Sequence, residues 1–414
     1  MKNKFDSLNK KGFNENFKQL SFTGYEIVNL QLNNEGNLIA TFCRDGVIRI
    51  WDTGKELVIF EFTECVELYF KIQKFNYRCT CIDFSFDSKF LAVGLGVGHL
   101  YVFDLTIKEL AFEYEIYPDL SYENLDMYSY FAEYTFVKYS ESGKYLIVVP
   151  SAYSIDPSDQ DGRDDHFDPI YLRTVHIIDT STQKPVFDYI FPKGKIGSVE
   201  ISKNDNLFSA GILGGDLKVW DLQLQQEVFS ANDFLWISNS REIGMRDSII
   251  FLNDNTIAYT TINMSIKIVS NKNKIWSVDQ ILVNSHCRGM ITALAYDHDN
   301  KELFSVEETD IQKPWSQRTL IKWNLKDMTV LKIKVVECDF VRKMVVNSEN
   351  NQILIGYART IEVRDLTDFN LVEWLKSEPM LGDPSTIGGN GNAFAIGLNE
   401  SIRYADDSMY NRVL

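Results

Sequence analysis

The sequence predicts an all-β chain whose strands group in fours, and whose sheets close into a ring, a β-propeller. Three observations predict it. Four-strand units recur along the chain every few tens of residues, and such a period decides architecture before any single motif does. Several units close their third strand on Trp-Asp or a worn form of it. Ile50-Trp51-Asp52 in DGVIRIWD and Val219-Trp220-Asp221 in GGDLKVWD are intact, while Val102-Phe103-Asp104, Ile178-Asp179, Trp323-Asn324 and Arg364-Asp365 hold the same place elsewhere. Finally, a lone strand near the N-terminus and three strands near the C-terminus are each incomplete without the other.

The first unit reads as strands at Tyr25–Leu32, Asn37–Arg44, Gly46–Asp52 and Glu56–Phe62. Asn33-Asn34-Glu35-Gly36 and Asp45-Gly46 are its turns, and Asp-Gly between apolar runs is a strong hairpin signal. Extra apolar residues in Val47–Trp51 fit a strand covered on both faces by neighbouring sheets. The second unit spans Cys79–Ile116. Its Gly94, Gly96 and Gly98 have no helix after them to hold a pyrophosphate, so they are not read as a dinucleotide loop. The third runs from Ala132 to Asp179 and Pro185–Phe191, with the insertion Ser154–Leu172 between its second and third strands. The fourth is Ile196–Asn232. The fifth, Ser248–Asp279, has Ser270 where Asp is expected. The sixth, Met290–Val335, carries the insertion Glu308–Arg318, and the seventh is Phe340–Leu375.

Ser385–Gly389, Ala393–Leu398 and Ser401–Asp406 give three more strands, and Asn16–Phe22 supplies the fourth. Their pairing would remove the free sheet edge of an open ring. The closures at 52, 104, 179, 221, 270, 324, 365 and 406 favour eight blades, with seven as the alternative. The expected organisation is one propeller at 16–407, an extension at 1–15 and a tail at 408–414.

Composition narrows the function. The 414 residues include 27 Phe, 20 Tyr and 7 Trp, which suits sheets stacked face to face. The formal net charge of −16 argues against general binding to a phosphate backbone, so no nucleic acid is expected as partner. The six scattered Cys lack the paired spacing of a metal site; Cys79 and Cys81 share a strand face and are read as reduced thiols. The first residues hold no apolar leader core and no run of 18 apolar residues occurs. An intracellular, cytoplasmic protein without a membrane span is expected.

The Trp-Asp closures and their spacing resemble the WD-repeat propeller family from about Asn16 to Asp407. The family's Gly-His is missing from its usual early place in each repeat, since Gly98-His99 precedes a third strand. The resemblance therefore implies blades held mainly by apolar packing between sheets. It also implies a rigid, non-catalytic platform for protein–protein interaction, a subunit or adaptor of a larger assembly.

Candidate sites lie in the insertions. Asp156, Asp159, Asp161, Asp164, Asp165 and Asp168 crowd the first. Part of a calcium-loop pattern is present, but Pro157 occupies the first ligand position and no helical pattern flanks it. A solvated loop of repelling charges is the plainer account, and docking of a basic partner ranks above metal binding. In the second insertion, Trp315 and Arg318 have the composition of an interface anchor, against the alternative that Trp315 folds back over the blade edge. Asp159, Asp161, Asp164, Asp165, Trp315 and Arg318 are thus the candidate partner-binding residues. The histidines are dispersed, and no hydrolase, metalloprotease or phosphate-loop motif appears. No catalytic, metal or cofactor residue is assigned, and no cofactor is expected. A reader of peptides or modified tails at the channel mouth and, behind it, a propeller hydrolase are the alternatives.

Overall fold

Turn chemistry places the strands. The computed structural model describes residues 18–21, 27–43, 45–67, 81–95, 99–115, 131–153, 174–191, 195–213, 215–234, 248–283, 289–308, 316–338, 341–348, 351–357, 360–376, 387–389, 394–398 and 401–405. Between first and second strands, a side-chain oxygen at the start of the turn accepts the backbone N–H five residues on. Asn33 does this for Leu38 at 2.9 Å, Ser85 for Phe90 at 2.9 Å, Ser140 for Tyr145 at 3.1 Å and Ser202 for Leu207 at 2.9 Å. The residue three places after each is left-handed: Gly36, Ser88, Gly143 and Asp205.

Between third and fourth strands the closing acid does the same work. Asp221 Oδ1 accepts the N–H of Gln223 and of Leu224, both at 2.9 Å. Asp104, Asp179 and Asp365 repeat the pair of bonds, Asn324 does so with its amide oxygen, and Asp52 accepts Lys55 N–H at 2.9 Å. Four residues after each, Glu56, Lys108, Gln183, Gln225, Met328 and Phe369 take positive φ. The worn Trp-Asp is therefore a turn signal, in which a short polar side chain mimics the backbone.

The result is an all-β propeller of four-stranded antiparallel blades. Seven blades are built from consecutive strands, at 27–62, 81–115, 131–190, 195–231, 249–283, 290–338 and 341–376. This is the number that the sequence offers as its alternative. One further four-stranded sheet is composite: Lys18–Ser21 pairs antiparallel with Ser401–Ala405, which continues through Phe394–Leu398 to Ile387–Gly389. The last two of these strands lie against Ile27–Leu32 of the first blade. The fifth unit is a full blade, and its outer strand runs past Asp279 to Val283.

First strands touch first strands at the junctions of blades one and two, two and three, four and five, five and six, and six and seven, so they face the axis. Between blades, apolar side chains interleave. Phe62 stacks on Phe103 of the second blade at 4.3 Å. Trp220 stacks on Phe208 and meets Phe187 and Tyr189 of the third blade at 5.5 and 4.8 Å. Aromatic pairs in such geometries add to the area they bury. Packing is not the whole of it, because two indoles find hydroxyl partners in their own blades. Trp51 Nε1 donates to Thr41 Oγ1 at 3.1 Å, and Trp323 Nε1 to Ser305 Oγ at 2.7 Å.

Candidate interaction surfaces

The residues expected to bind a partner separate on inspection. Asp159, Asp161, Asp164, Asp165 and Trp315 lie outside the described residues. The flanking strands, Tyr145–Tyr153 with Thr174–Asp179 and Glu302–Glu308 with Ser316–Asn324, join both insertions to the same end of their blades. Arg318 is corrected: it is fully buried, opposite Glu308 in the strand register and 3.7 Å from its carboxylate. A buried guanidinium is retained with its carboxylate, because removing one partner strands the other's charge. Its side chain is enclosed within the sixth blade beside Glu308, not at the surface where an exposed anchor would stand.

Two outer strands stand out by their exposed apolar side chains. Ile275, Val278, Ile281 and Val283 do so in the fifth blade, and Leu331, Ile333 and Val335 in the sixth. In the sixth blade, Lys334 reaches Asn370 of the seventh, so the alternating apolar residues face the fifth. A cavity of ≈ 570 Å³ opens there between the two blades, lined by Ile268, Gln280, Trp323 and Leu331 among others. The outer strand of the second blade, Glu109–Glu115, instead spaces carboxylates along its edge. Charges on an edge strand discourage added pairing; the fifth blade's outer strand carries few.

The axial end formed by the first turns of the blades is stitched across blades by polar groups. Gln31 donates to Asp83 at 3.2 Å, and Asp83 accepts Tyr139 N–H at 2.7 Å. Lys138 pairs with Glu200 at 2.8 Å and Lys203 with Glu141 at 2.9 Å. Asn204 N–H donates to Asp254 at 3.0 Å, and Ser348 to Asp297 at 2.8 Å. Of these groups, Asp83, Lys138, Tyr139, Glu141, Glu200, Lys203 and Asp254 line a cavity of ≈ 620 Å³, reached by residues of six blades from Asn34 to His298. Only a position on the ring axis is reached from so many blades. Sequence reading missed it, although SFDSK, SESGK and SKNDN at 85–89, 140–144 and 202–206 carry a common turn pattern.

Titratable groups inside the blades are structural. His99 and His176 sit on third strands, opposite Glu115 and Asp188 on the outer strands. Burial lowers both imidazoles below their ordinary value, and Asp188, 2.6 Å from His176, works against that. Burial pushes the Cys43 thiol up to about 11. Cys43, Cys65 and Cys81 are free thiols. Among the described residues, no group of three or more His, Cys, Asp or Glu could hold a metal ion, and no helix is long and apolar enough to cross a membrane.

The comparisons agree with this geometry. A family model, the WD domain, G-beta repeat, matches residues 17–52, which end with the third strand of the first blade. No curated protein matches the sequence. Among solved structures, the crystal structure of the computationally designed Ika8 protein is similar at 13% identity and a TM-score of 0.60, covering 94% of this chain and 99% of that one. Since 1641 solved chains match, the shape alone selects no partner. A repeat model on the first blade and the same turn at the end of six third strands agree: the chain is a β-propeller whose first blade matches the WD repeat.

Proposed function

We propose that this chain is a non-catalytic protein–protein interaction scaffold, a subunit or adaptor of a larger assembly, working inside the cell. The proposal takes residues 16–407 as one ring, with the composite sheet as its eighth blade and residues 1–15 and 408–414 as flanks. WD40 propellers are generally interaction scaffolds, and the free thiols suit a reducing compartment. The observation that carries the reading is the apolar surface on the outer strands of the fifth and sixth blades. Exposed apolar side chains clustered on a folded protein mark interaction sites, and here they form two patches: Val278, Ile281 and Val283 on the fourth-blade side of the fifth blade, and Ile333 and Val335 on the fifth-blade side of the sixth. The insertions add contacts in this reading, through Asp159, Asp161, Asp164 and Asp165 toward a basic partner and through Trp315 as an anchor.

Affinity purification of the native protein tests it, paired with the variant Ile281→Asp/Ile333→Asp. The native protein retains defined partners at low and moderate salt, and the variant loses them while keeping its melting temperature. Recovery of free monomer alone in both conditions overturns the scaffold reading. The reader of peptides at the channel mouth is the second reading, favoured by the axial cavity and its carboxylates.

A further inference from the structure

We propose that the cavity between the fifth and sixth blades, with the apolar row beside it, holds an extended acidic segment of a partner protein, a reading that rests on the scaffold role above and names the partner chemistry of its sixth-blade patch. The cavity of ≈ 570 Å³ lies within the range of pockets that bury a ligand. It opens at the end of the ring that carries the first turns, since Asn253, Asn300 and Asn324 stand on its wall. Its floor is apolar, from Leu252, Ile268 and Trp323, and Leu331 leads out of it. From there Leu331, Ile333 and Val335 descend the outer strand of the sixth blade, with 51%, 39% and 55% of their surfaces exposed. The row repeats every second residue over about 13 Å, which is the repeat of side chains along one face of an extended chain.

Charge selects the kind of segment. Two carboxylates and two ammonium groups line the cavity, Asp279 and Glu302 with Lys301 and Lys326. Both carboxylates are matched from within their own blades, Asp279 by Lys272 at 2.7 Å and Glu302 by Lys322 at 2.6 Å. Lys301 and Lys326 are exposed and make no ion pair among the described residues. With Lys272 and Lys322 counted, four positive charges stand here against two negative ones, on a chain whose formal net charge is −16. Asp299 and Asp327 neighbour these lysines in sequence but do not line the cavity, and Asp327 accepts the Asn324 amide at 2.9 Å. A carboxylate that enters therefore meets two unengaged ammonium groups, whereas a cationic segment meets only repulsion from them. Each exposed pair adds little, so the apolar row supplies the hold and the lysines supply the choice.

A fluorescein-labelled peptide of sequence EELSVSV, titrated with the full chain and followed by anisotropy, tests the proposal. Saturable one-to-one binding is expected, weaker at higher salt, with no binding of the peptide KKLSVSV. Lys301→Glu/Lys326→Glu lowers the affinity by about fivefold or more, and Leu331→Asp/Ile333→Asp abolishes binding, both with unchanged melting temperatures. If either variant fails to fold, the exposed single change Lys326→Gln decides, by weakening binding about twofold. Ile281→Asp, on the fourth-blade side of the fifth blade, leaves the peptide affinity unchanged. If the native chain retains partners that Ile281→Asp/Ile333→Asp loses, yet EELSVSV shows no saturable binding, the scaffold reading stands and this one is overturned. Binding that is indifferent to the lysine variants overturns it too. So does tripolyphosphate that binds as tightly as the peptide, because it shows a site for free anions that needs no apolar segment.

Discussion

The fourth and fifth blades make the same sheet by different means. In the fourth, Trp220 packs against the third blade and Asp221 caps a turn that ends at left-handed Gln225. In the fifth, Val269 and Ser270 occupy those places, and the third strand runs on to Lys272. Its hairpin turns on two residues, Asn273 and Lys274, both at positive φ, which is the geometry that matches the twist of adjoining strands. The missing carboxylate and indole are found across the hairpin. Asp279 accepts the Ser270 hydroxyl and pairs with Lys272 at 2.7 Å, while Trp276 meets Phe229 of the fourth blade at 6.1 Å. The two blades show that the motif is separable: its acid serves a four-residue turn, and once the turn shortens the acid is no longer needed there.

Substitutions can break this contrast, and the largest effect falls on packing. Trp220→Ala should cost about 3–5 kcal/mol, and Val269→Ala about 2 kcal/mol, read as shifts in the urea midpoint. Equal losses would mean that the fifth blade relies on Val269 as the fourth does on Trp220. The turn comes next. Asp221→Ala should cost about 1–2 kcal/mol by leaving two N–H groups without their acceptor, and Ser270→Ala below about 1 kcal/mol. Smaller still, Lys274→Gly should stabilise by about 0.5 kcal/mol, since glycine adopts positive φ without strain; thermal melts would show it.

Acidity separates the turn carboxylates from the buried imidazoles. Burial lowers His99 and His176 in the folded state, so the unfolded chain takes up protons first as the pH falls. Their contribution to stability is full above about pH 6.5 and is lost between that value and the lowered folded one. Asp52, Asp104 and Asp179 are held below the usual carboxylate range by hydrogen bonds from Lys55, Thr106 and Ser181. Their contribution is present above that range and goes only at more acid pH. His176→Gln should flatten the first decline in a pH series of melts and leave the second in place.

Much of the blade pattern was legible from turn residues and alternation. The strands expected at Tyr25–Leu32 and Glu56–Phe62 are Ile27–Leu32 and Leu57–Phe62, because Asn33 and Asp52 set turns through their own side chains. Ser270 was legible as a departure, but its cause was not, since φ at Asn273 and Lys274 is a property of the hairpin. Arg318 read as an exposed anchor because its neighbours in sequence are Trp315 and a loop. Its burial depends on Glu308, which only the strand register places opposite. The axial cavity was invisible for a related reason: Asp83, Lys138, Glu200 and Asp254 lie in four different units, and only the ring brings them together.

The sheet shared by Lys18–Ser21 and Ser401–Ala405 has a consequence for biosynthesis. While the ribosome is still translating, the Lys18–Ser21 segment must wait, its backbone groups unmatched, for a mate that lies beyond all seven consecutive blades. Consecutive units can mature in order behind it, but this join must follow all seven of them, and a nascent chain stalled before it presents a sticky border to chaperones.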